Sequence, residues 1–481
     1  MTDVIEERLG ILARLADLLG AQEPALRLLT SILLGFPLAL IYRHSLYGKS
    51  ASSQHLFFIV CGLSIGYWNY EWNILHSTVT LCATYLILLV FGGTFASAII
   101  TFVFNMGYLL IGYWTTSTDV YDIKWTMPQC VLTLRLIGLA FNLWDGAKSQ
   151  ESLSDYQKKV SLRTCPSLME VAAYSYFPSS FLVGPQFSMR RYLDFVNGTL
   201  VENGEDLRSN CLAAGIKRSA VGFVYIALFQ LGTMYVSDQY LLDDEYRQSN
   251  FFTKCFMLGL WGRVNLYKYM SCWLITEGVC ITFGLTYNGR DDKGEPRWDG
   301  CSNVGLVTFE NATTFDQYIA SFNINTNHWC AEYVYKRLKF LGSRIASQVA
   351  TLLFLALWHG FHSGYYLCFF MEFLLMYFEK DVSLIESRHV KLQSALKENL
   401  ALRAAAWFVM KIYTFVFMGY SLIPFVFLSA SRYTQVFGSI YYCGHVIFLS
   451  YPLRDLRTKR KKRHKRERER ERERGKIKWR R

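Results

Sequence analysis

Ser347-Gln-Val-Ala-Thr-Leu-Leu-Phe-Leu-Ala-Leu-Trp358-His359-Gly360-Phe361-His362-Ser363-Gly364-Tyr365-Tyr366 runs on through a mostly apolar stretch to Phe378. It is long enough to span a bilayer, which takes roughly 20 residues. Two histidines and two glycines lie inside it. An ionisable group at membrane depth is expensive, so it faces a protein interior or a wet cavity and marks function by default. On one continuous helix, His359, His362, Ser363 and Tyr366 would share a face, flanked by Gly360 and Gly364. From these residues alone, a packed helix with hydrogen-bonded core histidines fits equally well.

Working outward, the whole chain has the same character. Of 481 residues, 52% are hydrophobic and 19% charged, below the usual quarter. Several apolar runs approach spanning length, so the reading is an all-α, polytopic membrane protein with ten or eleven membrane segments around a buried chamber. From Arg454 onward, 17 Lys and Arg stand against 5 Asp and Glu, which places +12 of the +13 net charge in the tail. The near-neutral body argues against nucleic acid as a partner. The 12 cysteines are scattered without a Cys-x-x-Cys pair, which disfavours a zinc site or a disulfide framework. The organisation predicted is an amphipathic surface helix within 1–22, a membrane body over 23–453 and a basic low-complexity tail over 454–481.

Three places inside the body break the apolar pattern. Gln129 to Asn142 reads as a short helix carrying Arg135. Ser167 to Tyr192 reads as an interrupted helix, with Tyr174-Ser-Tyr-Phe-Pro178 and Val183-Gly-Pro-Gln-Phe187 as the breaks. Such breaks are tolerated at membrane depth only when buried in protein or lining a cavity. Phe251 to Phe283 is apolar but holds Arg263, Lys268 and Glu277. The last two spans are predicted over Ala404 to Ser429 and Gln435 to Tyr451. Asn197 and Asn311 open glycosylation sequons, which require lumenal exposure.

The chemistry centres on His359 and Asn323. The amide cluster Asn323, Asn325 and Asn327 by itself fits a turn or cap. Paired with His359 in an apolar protein, it supplies a base and an amide donor away from bulk water. Ser363 has no third member to complete a triad, and His359-x-x-His362 has no evident third metal ligand. Lys336, Arg337 and Lys339 suit CoA phosphates at a cytosolic mouth, or a simple positive-inside flank.

Four runs carry a family resemblance: Asp122-Ile-Lys-Trp-Thr-Met-Pro128, Phe181-Leu-Val-Gly-Pro-Gln-Phe-Ser-Met189, Ser321-Phe-Asn-Ile-Asn-Thr-Asn327 and Leu355-Ala-Leu-Trp-His-Gly360. In that order, between about Glu23 and Tyr451, they resemble the membrane-bound O-acyltransferase family. The resemblance implies acyl transfer from acyl-CoA, as co-substrate rather than cofactor, to the free hydroxyl of a lysophospholipid. It implies lysophosphatidylcholine first, then the ethanolamine and serine lysolipids, with polyunsaturated donors. It also maps the catalytic pair onto His359 and Asn323 and places the protein in the endoplasmic-reticulum membrane. Lysophosphatidylinositol is the alternative acceptor, and a non-catalytic lipid carrier or scramblase the alternative of another class. The Arg-Glu tail departs from the family pattern, and Lys478-Trp-Arg-Arg481 is not a dilysine retrieval signal.

Overall fold

A computed structural model describes residues 11–450, apart from 19, 119–122 and 202–207. Among the described residues the chain is all-α. Its β-type pairings are two isolated bridges, Arg290 with Pro296 and Val304 with Phe322. Of the segment predicted within 1–22, residues 1–10 lie outside the described residues, and α1 (Ile11–Leu18) has Ala16 buried and Leu15, Asp17 and Leu18 exposed. The tail predicted from 454 lies outside the described residues.

Helix α2 (Glu23–Ile41) starts at Pro24, whose missing N–H costs nothing in the first turn. α3 (Ala51–Tyr70) and α4 (Leu75–Phe91) are separated at Glu71, and α5 (Phe95–Thr116) follows. α6 (Thr126–Gly146) is longer than the sequence suggests and runs through the protein interior, with residues 131–143 all buried. The interrupted stretch is indeed broken, into α7 (Leu168–Ser175) and α8 (Met189–Val196).

Arg135 explains how that break survives burial. Its Nη1 donates to the carbonyls of Tyr174 and Ser175 at 3.0 and 3.1 Å. Its Nη2 donates to Ser180 O at 3.0 Å, Ser180 Oγ at 2.7 Å and Pro185 O at 3.3 Å. A guanidinium with five donors thus satisfies main-chain carbonyls that the missing helical turns would leave orphaned.

α9 (Arg208–Tyr235) packs along α10 (Phe251–Phe283) through small residues. A Cβ on Gly215 would stand 2.6 Å from the Gly278 carbonyl oxygen. Close backbone approach of this kind holds helices together where lipid supplies no hydrophobic drive. The later helices that position the site are α11 (Phe315–Ser321), α12 (Ile324–Cys330), α13 (Arg344–His359), α14 (Ser363–Arg388), α15 (Leu400–Phe427) and α16 (Ala430–Ser439).

Two expectations change. The stretch read as one helix is two, α13 and α14, because Gly360 takes φ +131°, open to glycine and strained for other residues. His359 is therefore the last residue of α13, while His362 caps α14, and the shared helical face does not exist. The predicted last span is likewise split: α16 ends at Ser439, and Tyr441 and Tyr442 adopt positive φ before helix resumes over 443–450. Among the described residues, six stretches are long and apolar enough to cross a membrane, α3 and α4 together forming one of them. The others are short, as is α13 with 16 residues, or carry charge, as α10 does. Large apolar side chains such as Val90, Trp114, Met234 and Phe252 are exposed, as a lipid-facing surface requires. The protein is a multi-pass membrane protein.

Candidate active site

The α13–α14 joint is pinned from several sides. The Trp358 indole Nε1 donates to Cys130 O at 3.0 Å, and the Tyr113 hydroxyl donates to Trp358 O at 3.0 Å. Gly364 N donates to Leu428 O at 3.1 Å, and a Cβ at Gly364 would meet the Pro424 carbonyl oxygen at 1.9 Å. The joint thus sits against α5, α6 and α15 with no room for a side chain at 364.

His359 projects from this joint into an aromatic collar. Its ring centroid lies 4.7 Å from Trp358, 5.1 Å from Phe425, 5.5 Å from Tyr365 and 5.6 Å from Phe369. Among the described residues nothing hydrogen-bonds its ring nitrogens, although it is largely enclosed by protein. It lines a cavity of about 1150 Å³. Such a volume suits a large, mostly apolar ligand.

Asn323 lines the same cavity. It is the N-cap of α12 and sits in the left-handed region at φ +52°, ψ +44°, which asparagine tolerates better than most residues. Its neighbours in the amide cluster serve the fold. Asn327 Nδ2 donates to the carbonyls of Ile319 and Phe322, both at 2.9 Å, and Asn325 Nδ2 to those of Cys301 and Ser302 at 3.0 and 3.1 Å.

His362 also lines the cavity, 3.4 Å from the Ser117 hydroxyl. Ser363 does not line it; its Oγ lies 3.0 Å from the Tyr433 hydroxyl. Lys336, Arg337 and Lys339 are likewise absent from the cavity wall. Arg337 is committed to Asp145, with Nη1 donating to Oδ1 at 2.8 Å, and Lys336 pairs with Glu332. Arg337 neutralises a buried aspartate at the end of α6.

Sequence reasoning missed two cavity residues. Asn303 lies between α10 and α11, and no local signal marks it. Glu372 is the one carboxylate among the described lining residues, and among them it has no hydrogen-bond or ion-pair partner. Its signal was an acid inside an apolar run, the same signal that marked Glu277.

The family model of MBOAT, the membrane-bound O-acyltransferase family, matches residues 110–423, a span that contains both Asn323 and His359. Lysophospholipid acyltransferase 5 of Mus musculus is 47% identical over 439 residues, covering 91% of this chain and 90% of the relative. The protein of the same name from Drosophila melanogaster is 43% identical, covering 90% and 87%. A lysophospholipid acyltransferase of Schizosaccharomyces pombe is 27% identical over 372 residues, covering 75% and 70%.

Proposed function

Because the chain belongs to the membrane-bound O-acyltransferase family, we propose that it acylates lysophospholipids, with His359 as general base and Asn323 as donor to the reacting carbonyl. The observation that carries this reading is that His359, free of protein hydrogen bonds among the described residues, shares one cavity with Asn323.

The proposed donor is a long-chain acyl-CoA. A hydroxyl is a poor nucleophile until its proton is taken during attack, and imidazole is suited to that near neutral pH. A ring nitrogen of His359 accepts the sn-2 hydroxyl proton as the oxygen attacks the thioester carbon. The carbonyl oxygen becomes an oxyanion, which the Asn323 amide stabilises. The C–S bond then breaks, and His359 returns the proton to the departing CoA sulfur. A thioester is already activated, so the reaction needs neither a resident cofactor nor a covalent enzyme intermediate. Lys336 and Lys339, both exposed, are the basic residues we assign to CoA phosphates.

For the acceptor, Glu372 supports a cationic head group. An ionised Glu372 attracts the quaternary ammonium of choline, a group the inositol head group lacks, while the phosphate is common to both. This favours lysophosphatidylcholine, with polyunsaturated acyl donors, over lysophosphatidylinositol. We place the protein in the endoplasmic-reticulum membrane with its tail cytosolic, because short basic flanks stay on the cytoplasmic side.

The test is product analysis. Purified protein given labelled acyl-CoA and a panel of lysolipids is expected to form a labelled diacyl phospholipid, fastest with lysophosphatidylcholine. No new ester with any acceptor would overturn the reading.

A further inference from the structure

Glu277 is a buried acid inside α10, and the roles of His359 and Asn323 leave it unused. Its partners define what it does. Arg218 of α9 approaches Glu277 Oε2 through Nε at 2.7 Å and Nη2 at 2.6 Å. The other oxygen, Oε1, accepts the main-chain N–H groups of Asn303 at 2.7 Å and Val304 at 3.1 Å. Arg218 Nη2 also donates to Val304 O at 2.7 Å. One ion pair therefore grips the main chain of both Asn303 and Val304. Stripping either partner from such a pair is strongly destabilising, so the loop it holds is fixed.

That loop in turn grips Asn323. Gly305 N donates to Ser321 O at 2.8 Å, and Ile324 N donates to Asn303 O at 3.0 Å. The Asn303 side chain completes the clamp. Its Oδ1 accepts Asn325 N at 3.0 Å, and its Nδ2 donates to Asn323 Oδ1 at 3.4 Å.

The order of these bonds is forced. A main-chain N–H can only donate, so the Asn303 atom facing Asn325 N is its oxygen. The other end of the Asn303 amide is then a donor, and the Asn323 atom that meets it is an acceptor. The Asn323 oxygen is thus turned toward the loop. Its Nδ2, with two N–H donors, has no acceptor among the described residues, and Asn323 lines the cavity. An amide so turned presents its N–H groups, as an oxyanion requires.

We propose that Asn303, locked by the Glu277–Arg218 pair, is a positioning residue that fixes the rotamer of Asn323 so that its N–H groups face the reacting carbonyl. This rests on the reading of Asn323 as a donor in acyl transfer and adds the device that aims it.

The experiment is a double-mutant cycle on the full chain in detergent, with kcat and KM measured for acyl-CoA and lysophosphatidylcholine. Asn303→Asp keeps the acceptor for Asn325 N but puts an acceptor where Asn323 needs a donor. It is expected to lower kcat by about tenfold or more, as misaimed catalytic groups do. Both KM values should stay within about twofold. In an Asn323→Gly background the same change should cost less than about twofold, because the group it aims is gone. Glu277→Gln should reproduce the kcat loss in weaker form. Wild-type kcat in Asn303→Asp, or equal losses in both backgrounds, would overturn the proposal. Near-normal turnover in Asn323→Gly would instead overturn the catalytic reading of Asn323. If Asn303→Asp is not recovered folded, Asn303→Ala is read in the same cycle with the same criteria.

Discussion

The Tyr113 hydroxyl donates to the main-chain carbonyl of Trp358 at 3.0 Å, fixing the residue before His359 from a different helix. The histidine's place is therefore set by its neighbours rather than by its own ring, which no protein group hydrogen-bonds among the described residues. His359→Ala should leave the joint standing and lower turnover by about two orders of magnitude or more. His359→Gln should be nearly as slow, since an amide cannot take the proton. Turnover in matched detergent, with acyl-CoA binding checked separately, decides it. Near-normal turnover in a folded His359→Ala protein would return His359 to the status of a core histidine.

Asn323 needs a different control. At φ +52° an alanine carries a backbone penalty of about 1–2 kcal/mol that has nothing to do with chemistry. Asn323→Gly removes the amide without that penalty. Both variants are expected to be severely slowed, with Asn323→Gly the more heat-stable of the two. If only the alanine variant is slow, the residue matters for its backbone alone.

Acyl transfer is expected to be direct. Ser363 lies against Tyr433 and outside the cavity wall, while Cys368 lines the cavity but is buried. Mass spectrometry of protein given acyl-CoA without acceptor should find neither residue acylated. A stoichiometric adduct on either would replace direct transfer with covalent catalysis.

Head-group choice is expected to respond to Glu372. Glu372→Gln removes the charge and keeps the shape. It should shift the ratio of rates for lysophosphatidylcholine and lysophosphatidylinositol by about tenfold toward the inositol lipid, the equivalent of about 1.4 kcal/mol. An unchanged ratio would mean that the carboxylate does not meet the head group.

Arg135→Met should fail through folding. It strands the carbonyls of Tyr174, Ser175 and Pro185 in a buried site, while Ser180 O keeps its bond from Gly184 N. At about 1–3 kcal/mol for each unsatisfied group, the loss should appear as a collapsed thermal midpoint in detergent. A variant with the parent's midpoint would show that other donors reach those carbonyls.

The sequence by itself determined the class of molecule and singled out His359 and Asn323 as candidates. Bilayer thickness converts run length directly into helices, so the apolar stretches from Glu23 onward declared a helical membrane protein without any tertiary knowledge. An acid, base or amide inside such a run stands out against its neighbours, which is how His359, Arg135 and Glu277 were legible. Trp-His-Gly and the asparagine segment carried the family resemblance for the same local reason. What only the tertiary structure decided is every relation between distant parts of the chain. Gly360 turns one expected helix into two, a φ value that spacing cannot reveal because other glycines of similar context stay helical. Asp145 claims Arg337, and Cys130 holds Trp358. Asn303, unmarked in its own segment, faces Asn323 only because Glu277 and Arg218 carry the loop there. Hydrogen bonds of this kind depend on where backbones meet, and local residue types do not encode that meeting.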